Sequence, residues 1–266
     1  MSWDSLLRHR CRLALLPMLV LSALSWPARA AEPGMLFLMQ DYPPFVVNDN
    51  GHASGPYPDI VRRACSLLAR DCTLKFVPWR RAQWDVEHGQ ADGLFVVLRT
   101  PDREALYYFS PPLLSSAFGF FVRDGSPLKY AEPQDAAGWT VGVFGPSGSS
   151  RMASGLADTI VPRPQINFEI DNLTALKKLQ AGRYGAHGAA FMNVELGRAL
   201  IAKHQLQGVR LAGELPPAAH HVGLSRLKLS PAEAERFHAA LRELIDNGTV
   251  AQIARAYGLK VAPQAK

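Results

Sequence analysis

The sequence predicts an α/β protein of two lobes, each an open, mostly parallel sheet flanked by helices, with two crossing strands as the hinge. Three observations predict it. Strand-like and helix-like segments alternate in a first block that starts at residue 34. A second alternating block follows "SPLKYAEPQDAAG" (126–138). Two apolar runs, "SSAFGFFVRDG" (115–125) and "HHVGLSR" (220–226), are placed to carry the chain across and back. The reading assigns 31–121 and 222–266 to lobe one and 122–221 to lobe two, with a cleft that opens and closes about the crossings.

The elements follow in order. "GMLFLMQ" (34–40) is a short apolar strand, and the two prolines of "DYPPF" (41–45) force an extended exit from it. "PDIVRRACSLLAR" (58–70) has Pro58 near its first helical position and Asp59 in its first turn. Its Ile60, Val61, Ala64, Cys65 and Leu68 trace one apolar face. "TLKFVPW" is a strand, "RRAQWDVEHG" a helix closed by Gly89, and "ADGLFVVL" (91–98) a buried strand. In the second block, "WTVGVF" (139–144) is a strand, and the Gly/Ser-rich "GPSGSSRMASGL" opens a helix. "DNLTALKKLQAGR" is a helix capped by Asp171 or Asn172 and ended by Gly182, and "GAAFM" is a strand. "SPAEAERFHAALRELIDNG" is a strong helix with Ser230 as cap and Pro231 at its first position; "TVAQIARAYGL" is a short one closed by Gly258.

Residues 1–30 read as an export signal rather than as part of the fold. Arg8, Arg10 and Arg12 precede the apolar "LALLPMLVLSAL", which is shorter than the ~20 residues a membrane span needs. "ARA" (28–30) has small residues where a signal peptidase reads, so cleavage is expected near Ala30/Ala31. Cys11 lies before the apolar segment and is not placed as a lipoprotein cysteine. The leader carries four Arg and one Asp of the chain's 29 basic and 23 acidic side chains, which leaves a charge of about +3 on the remainder. Nothing in that remainder resembles a nucleic-acid-binding stripe. Cys65 and Cys72 are the two cysteines left, and in an oxidising compartment a pair is expected over two buried thiols. No CxxC, HExxH or Cys/His cluster points to a metal, no cofactor motif is present, and the adjacent His220 and His221 read as part of a crossing strand.

The segments "DYPPF", "GPYPDIVRRA", "GQADGLFVVLRTPDREALYYFSPP", "GWTVGVFGPSGSS", "LKKLQAGR" and "LRELIDNGTVAQIARAYGL" occur here in an order and spacing that resembles the bacterial extracellular solute-binding proteins. The resemblance is to the family that includes polar amino-acid-binding components of ABC importers, and it runs from about residue 35 to 260. It implies the periplasmic-binding-protein type II fold. It also supports the Cys65–Cys72 disulfide, since histidine- and lysine-type members bridge two cysteines at this spacing.

Ligands of open α/β sheets bind at the carboxyl ends of strands, which here are the loops "DYPPF", "VPWRRA", "VLRTPDRE" and "FGPSGSS". Arg103 is the expected anchor, because a guanidinium fork matches a carboxylate as Lys does not. The resemblance implies the same: Thr100 and Arg103 keep the family spacing of the Thr and the Arg that grips the α-carboxylate. Arg99 has no such position and is assigned to the surface or rim. Tyr42 matches the family's first-loop aromatic. Trp79 is read either as a cleft wall, able to stack on a ring or hold a cation, or as core; Trp84 is read as core. One of Arg80 and Arg81 faces the cleft. In lobe two, Ser147 or Ser149 and the backbone amides beside them can meet an anion. Without a P-loop Lys, nucleotide binding is not expected.

Two departures matter. Amino-acid binders of the family carry an Asp in lobe two that pairs with the ligand's ammonium, and Asn193 stands there; Glu195 would need a shift of two residues. The family's Ser-rich segment is here "VVL", so two hydroxyl contacts are missing and Leu98 is the residue offered to the ligand there. Both favour a carboxylate ligand with an apolar or aromatic body. The expected function is a monomeric periplasmic protein that captures a small carboxylate ligand and delivers it to an inner-membrane ABC permease, or to a sensor receptor. The alternative is a periplasmic enzyme on the same fold, of the cyclohexadienyl or arogenate dehydratase kind, with Asp41, Glu104 or Glu195 as its general acid.

Overall fold

The computed structural model describes residues 33–264, so the expected export signal and its cleavage site lie outside the described residues. The chain begins with β1 (Met35–Met39) and a hairpin, β2 (Val47–Asp49) and β3 (His52–Ser54). The sequence reading did not include that hairpin. Its two-residue turn is Asn50-Gly51, both with positive φ (51° and 91°), the pairing a tight hairpin favours.

Helix α1 spans Pro56–Leu67, two residues earlier than expected at its start. Pro56, not Pro58, takes the first helical position, because Gly55 supplies the N-cap with φ 112°. A Cβ there would lie 2.8 Å from the Phe45 carbonyl, so the glycine lets two loops touch. The expected apolar face is buried at Ile60, Val61, Ala64 and Cys65. Cys65 in the last turn is bonded to Cys72 at the start of β4 (Cys72–Phe76), with Cα atoms 6.1 Å apart.

Next come α2 (Trp79–Glu87), β5 (Gly93–Leu98), the single turn α3 (Pro101–Glu104), β6 (Tyr107–Phe109) and β7 (Leu114–Ser116). The second block holds β8 (Phe118–Arg123), a 3-10 turn (Pro133–Ala136), β9 (Thr140–Phe144), α4 (Gly148–Ala157), β10 (Gln165–Glu169), α5 (Asn172–Gln180), β11 (Gly188–Asn193), α6 (Val194–Lys203) and β12 (Val209–Glu214). Of these, the 3-10 turn, β10, α6 and β12 were not foreseen; α6 escaped because the apolar strand before it runs into it without a break. The chain closes with β13 (Ala218–Ser225), α7 (Pro231–Asp246), α8 (Thr249–Ala256) and β14 (Lys260–Val261). Ser230 caps α7 in a reciprocal box with Glu233, and Pro231 opens the helix, as expected.

Apart from the β2–β3 hairpin, the strands form two sheets, β14-β7-β13-β5-β1-β4 with β6 on β13, and β10-β9-β11-β8-β12. Each has a three-stranded parallel part, β5-β1-β4 and β10-β9-β11. The strands nearest the crossings, β13 and β8, run antiparallel to it. Sheet membership changes at Ala117 and again within 215–217, so the boundaries read from sequence, 121/122 and 221/222, fall inside β8 and β13.

Both faces of each sheet are covered. In β1, Met35, Phe37 and Met39 join the core beneath α1 and α7, while Leu38 joins the core of Trp79, Ala82 and Val86 from α2. In β11, Ala189 and Phe191 face one core and Ala190 and Met192 the other. Burial on both sides is why these strands read as unbroken apolar runs.

Candidate functional site

The carboxyl ends of β1, β5 and β9 converge between the sheets on an inner pocket lined by Gln40, Tyr42, Trp79, Val96, Leu98, Arg103, Phe118, Phe144, Ser147, Gly148, Ser149 and His220. Its free space is about 30 Å³, room for a water or two. A wider vestibule of about 520 Å³ adjoins it at Gln40, Trp79 and Phe144. Six of the eight ligand residues expected from sequence are brought together here: Arg103, Tyr42, Trp79, Leu98, Ser147 and Ser149.

Arg103 sits in α3, where the Pro101 turn directs its side chain inward, and it is 2% exposed. Its guanidinium donates to the Leu98 carbonyl (3.1 Å) and to Gln83 Oε1 (2.8 Å). Among the described residues no carboxylate lies within ion-pair distance of it, so a buried cation with five N–H donors has only neutral partners. Burial, then Arg151, lower its pKa, and it stays charged at neutral pH. Gln83 follows Trp79 by four residues on α2, a spacing that places both on one helix face.

Trp79 is 7% exposed and combines both readings offered for it, packing with Leu38 and Val97 while lining the pocket. Trp84 is a correction: it is 47% exposed, stacked on His88 with ring centroids 4.2 Å apart and with the Arg81 guanidinium over its ring at 5.2 Å. Arg81 is held by Asp85, and Arg80 lines the vestibule. Tyr42 packs on Phe45, and burial together with Glu195 raises its pKa.

Thr100 lies elsewhere. It precedes α3, its hydroxyl donates to Asp102, and it lines a separate crevice with Arg99, Arg151 and His221. Asn193 is also outside the pocket. Fully buried, it accepts from the Leu196 amide through Oδ1, which caps α6, and donates through Nδ2 to Ser116 Oγ. Both ends of its amide are therefore spent inside the protein.

The second lobe's serines differ from each other. Ser147 Oγ accepts from the Ser150 amide as the cap of α4 and donates to the Phe144 carbonyl. The Ser149 hydroxyl has no hydrogen-bond partner among the described residues, and Ser149 lines the pocket. Of the candidate acids, Asp41 pairs with Lys203 across the vestibule (3.8 Å) and Glu104 with Arg99 on the surface (2.7 Å). Glu195 is half-buried with Oε2 unpaired, and burial raises its pKa. None of the three lines the inner pocket. Among the described residues no group of three His, Cys, Asp or Glu could hold a metal.

Sequence reasoning missed Gln40, Val96, Phe118, Phe144 and His220. Val96 has φ +59°, costly for a β-branched residue, at the register shift between β5 and β13. The shift sets Val96 against the pocket, and nothing local announced it.

The lobes touch through apolar residues exchanged across the gap. Leu98 joins the core of Phe118, Val141 and Phe191, while Phe144 packs against the core of Leu38, Trp79 and Leu94. A Cβ on Gly148 would lie 2.8 Å from Leu98 Cδ1. Arg151 pairs with Asp102 across the same seam at 3.1 Å.

A sequence model of the bacterial extracellular solute-binding proteins, family 3, matches residues 36–260. Among solved structures, a histidine kinase sensor domain with similarity to periplasmic binding proteins aligns at TM-score 0.75 and 18% identity, over 86% of this chain and 98% of that one. The arginine-, lysine-, histidine-binding protein ArtJ of Geobacillus stearothermophilus aligns at 0.71 and 17%, over 84% and 94%. An ancestral amino acid-binding protein, a precursor of cyclohexadienyl dehydratase, aligns at 0.69 and 18%, over 84% and 95%. No curated protein matches the chain.

Proposed function

This chain belongs to the bacterial extracellular solute-binding proteins of family 3, and on that premise we propose that it captures a small carboxylate-bearing solute between its lobes and delivers it to an ABC permease. One observation carries the reading: Arg103, 2% exposed, lines the inner pocket with neutral partners only. A bidentate anion is the partner that geometry and charge call for. Trp79, Tyr42, Phe118 and Phe144 make the rest of the wall apolar and aromatic, which suits an acid with an apolar or aromatic body. The inner pocket is too small for an amino acid, so capture involves parting of the lobes and closure on the solute.

We take the site of action to be periplasmic, with export directed by residues 1–30. Transfer to a sensor receptor would need the same closed form, and a permease-deletion strain separates the two outcomes. The dehydratase reading lacks an acid in the inner pocket wall among the described residues.

A thermal-shift screen of the mature protein against amino acids, their 2-oxo acids and aromatic acids tests the reading, because a bound solute raises Tm by mass action. At least one acid is expected to do so, and Arg103→Ala is expected to abolish the shift. A hit unaffected by that substitution would sink the carboxylate clamp. Turnover of prephenate by the same preparation would replace binding with catalysis.

A further inference from the structure

His220 lines the same pocket as Arg103 and is 1% exposed. Its Nε2 lies 2.7 Å from Ser116 Oγ, and its Nδ1 is buried with no hydrogen-bond partner. A chain of hydrogen bonds decides which nitrogen holds the proton. The Leu196 amide donates to Asn193 Oδ1, which leaves Nδ2 as the end facing Ser116. Nδ2 can only donate, so Ser116 Oγ accepts there, and its own proton needs an acceptor. Among the described residues the only remaining partner of that hydroxyl is His220 Nε2. Nε2 therefore accepts, and the ring proton sits on Nδ1. Burial favours the neutral ring, with a pKa lowered to about 3.

We propose that His220 is a neutral donor to the bound solute, its proton held on Nδ1 by the Asn193–Ser116 relay, so that this wall selects an acceptor oxygen. The donor role rests on the pocket being a solute site; the tautomer does not. An unpartnered buried N–H costs free energy that a solute oxygen would recover. A solute ammonium could not recover it, having only donors to offer.

Asn193→Asp supplies the test. An ionised carboxylate only accepts, so Ser116 would donate to it and accept from His220 Nε2–H, which reverses the tautomer. Long-range proton–nitrogen spectra of the labelled mature protein read this directly, with the His220 signals identified by their loss in His220→Phe. Protonated Nδ1 is expected at neutral pH, and protonated Nε2 in Asn193→Asp. A wild-type ring protonated on Nε2, or on both nitrogens, overturns the proposal even where the variant fails to fold. Each acid from the screen that raises Tm should also move the Nδ1–H resonance and bind roughly 10-fold more weakly to His220→Phe. An acid that raises Tm and leaves that resonance in place overturns the donor role. A screen without any hit counts against the proposed function, while the unliganded spectrum still decides the tautomer.

Discussion

The two walls of the cleft use their polar groups in opposite ways. On the first lobe, Arg103 has only neutral partners and His220 has a nitrogen with none. On the second, Ser147 caps α4 and Asn193 caps α6, so those polar atoms are consumed by helix ends. Ser149 is the second-lobe hydroxyl left over. One wall thus holds donors in reserve, and the other ties its polar groups into helix ends. The lobes meet through Leu98 against Gly148 and through Phe144, contacts that carry little chemical specificity. The difference teaches that, under the proposed function, recognition belongs mainly to the first lobe, with the second as its lid.

The largest expected effect is on stability in acid. His220 and His238, both on the first lobe, are lowered from 6.5 to about 3 and about 4 by burial. Below pH 6.5 the unfolded chain takes up protons that the native lobe refuses, so stability falls as pH falls toward 4. Each histidine contributes about 1.4 kcal/mol per pH unit across that window, a loss for the two together on the order of 5 kcal/mol by pH 4.5. Urea unfolding measures the total, and amide exchange at pH 4.5 should show α1 and α7 losing protection before α4 and α5. Simultaneous loss in both lobes would break the asymmetry.

Next is Arg103→Ala, expected to cost ~2–5 kcal/mol of binding, or about 30-fold and more in affinity. Calorimetry with an acid from the screen measures it. Ser147→Ala is expected to do the reverse, costing about 1 kcal/mol of stability through the lost α4 cap and less than that in affinity. If its affinity loss rivalled that of Arg103→Ala, the second lobe would be a recognition wall after all. The smallest effect belongs to the seam. Asp102 and Arg151 are half-exposed (53% and 46%), so Asp102→Asn should change binding by under about 1 kcal/mol, and less at high salt.

What was legible in the sequence was local in origin. Ser230 with Pro231 and Glu233 marks a helix start because capping acts within four residues. The apolar runs of β1, β5 and β11 were plain because both faces of each sheet are buried. Arg103 was singled out because a guanidinium fork matches a carboxylate and because the resemblance places an anchoring Arg three residues after Thr100; Cys65 and Cys72 were paired because the expected compartment is oxidising and the resemblance bridges cysteines at this spacing. Trp84 misled, since an indole packed on Arg81 and His88 has the same sequence signature as one in the core.

The sequence by itself determined the alternation of strands and helices and the two blocks, set by spacing along a few turns of chain, and it marked Arg103 as the candidate anchor and Cys65–Cys72 as the expected disulfide. Only the tertiary structure decided that His220 lies opposite Leu98, through a register between β13 and β5 that joins residues 122 apart. The same packing turned Asn193 from a solute contact into a helix cap bonded to Ser116. The reason is physical: an amide has the same donors and acceptors wherever it stands, and only the partners brought to it by folding fix which of them remain for a solute.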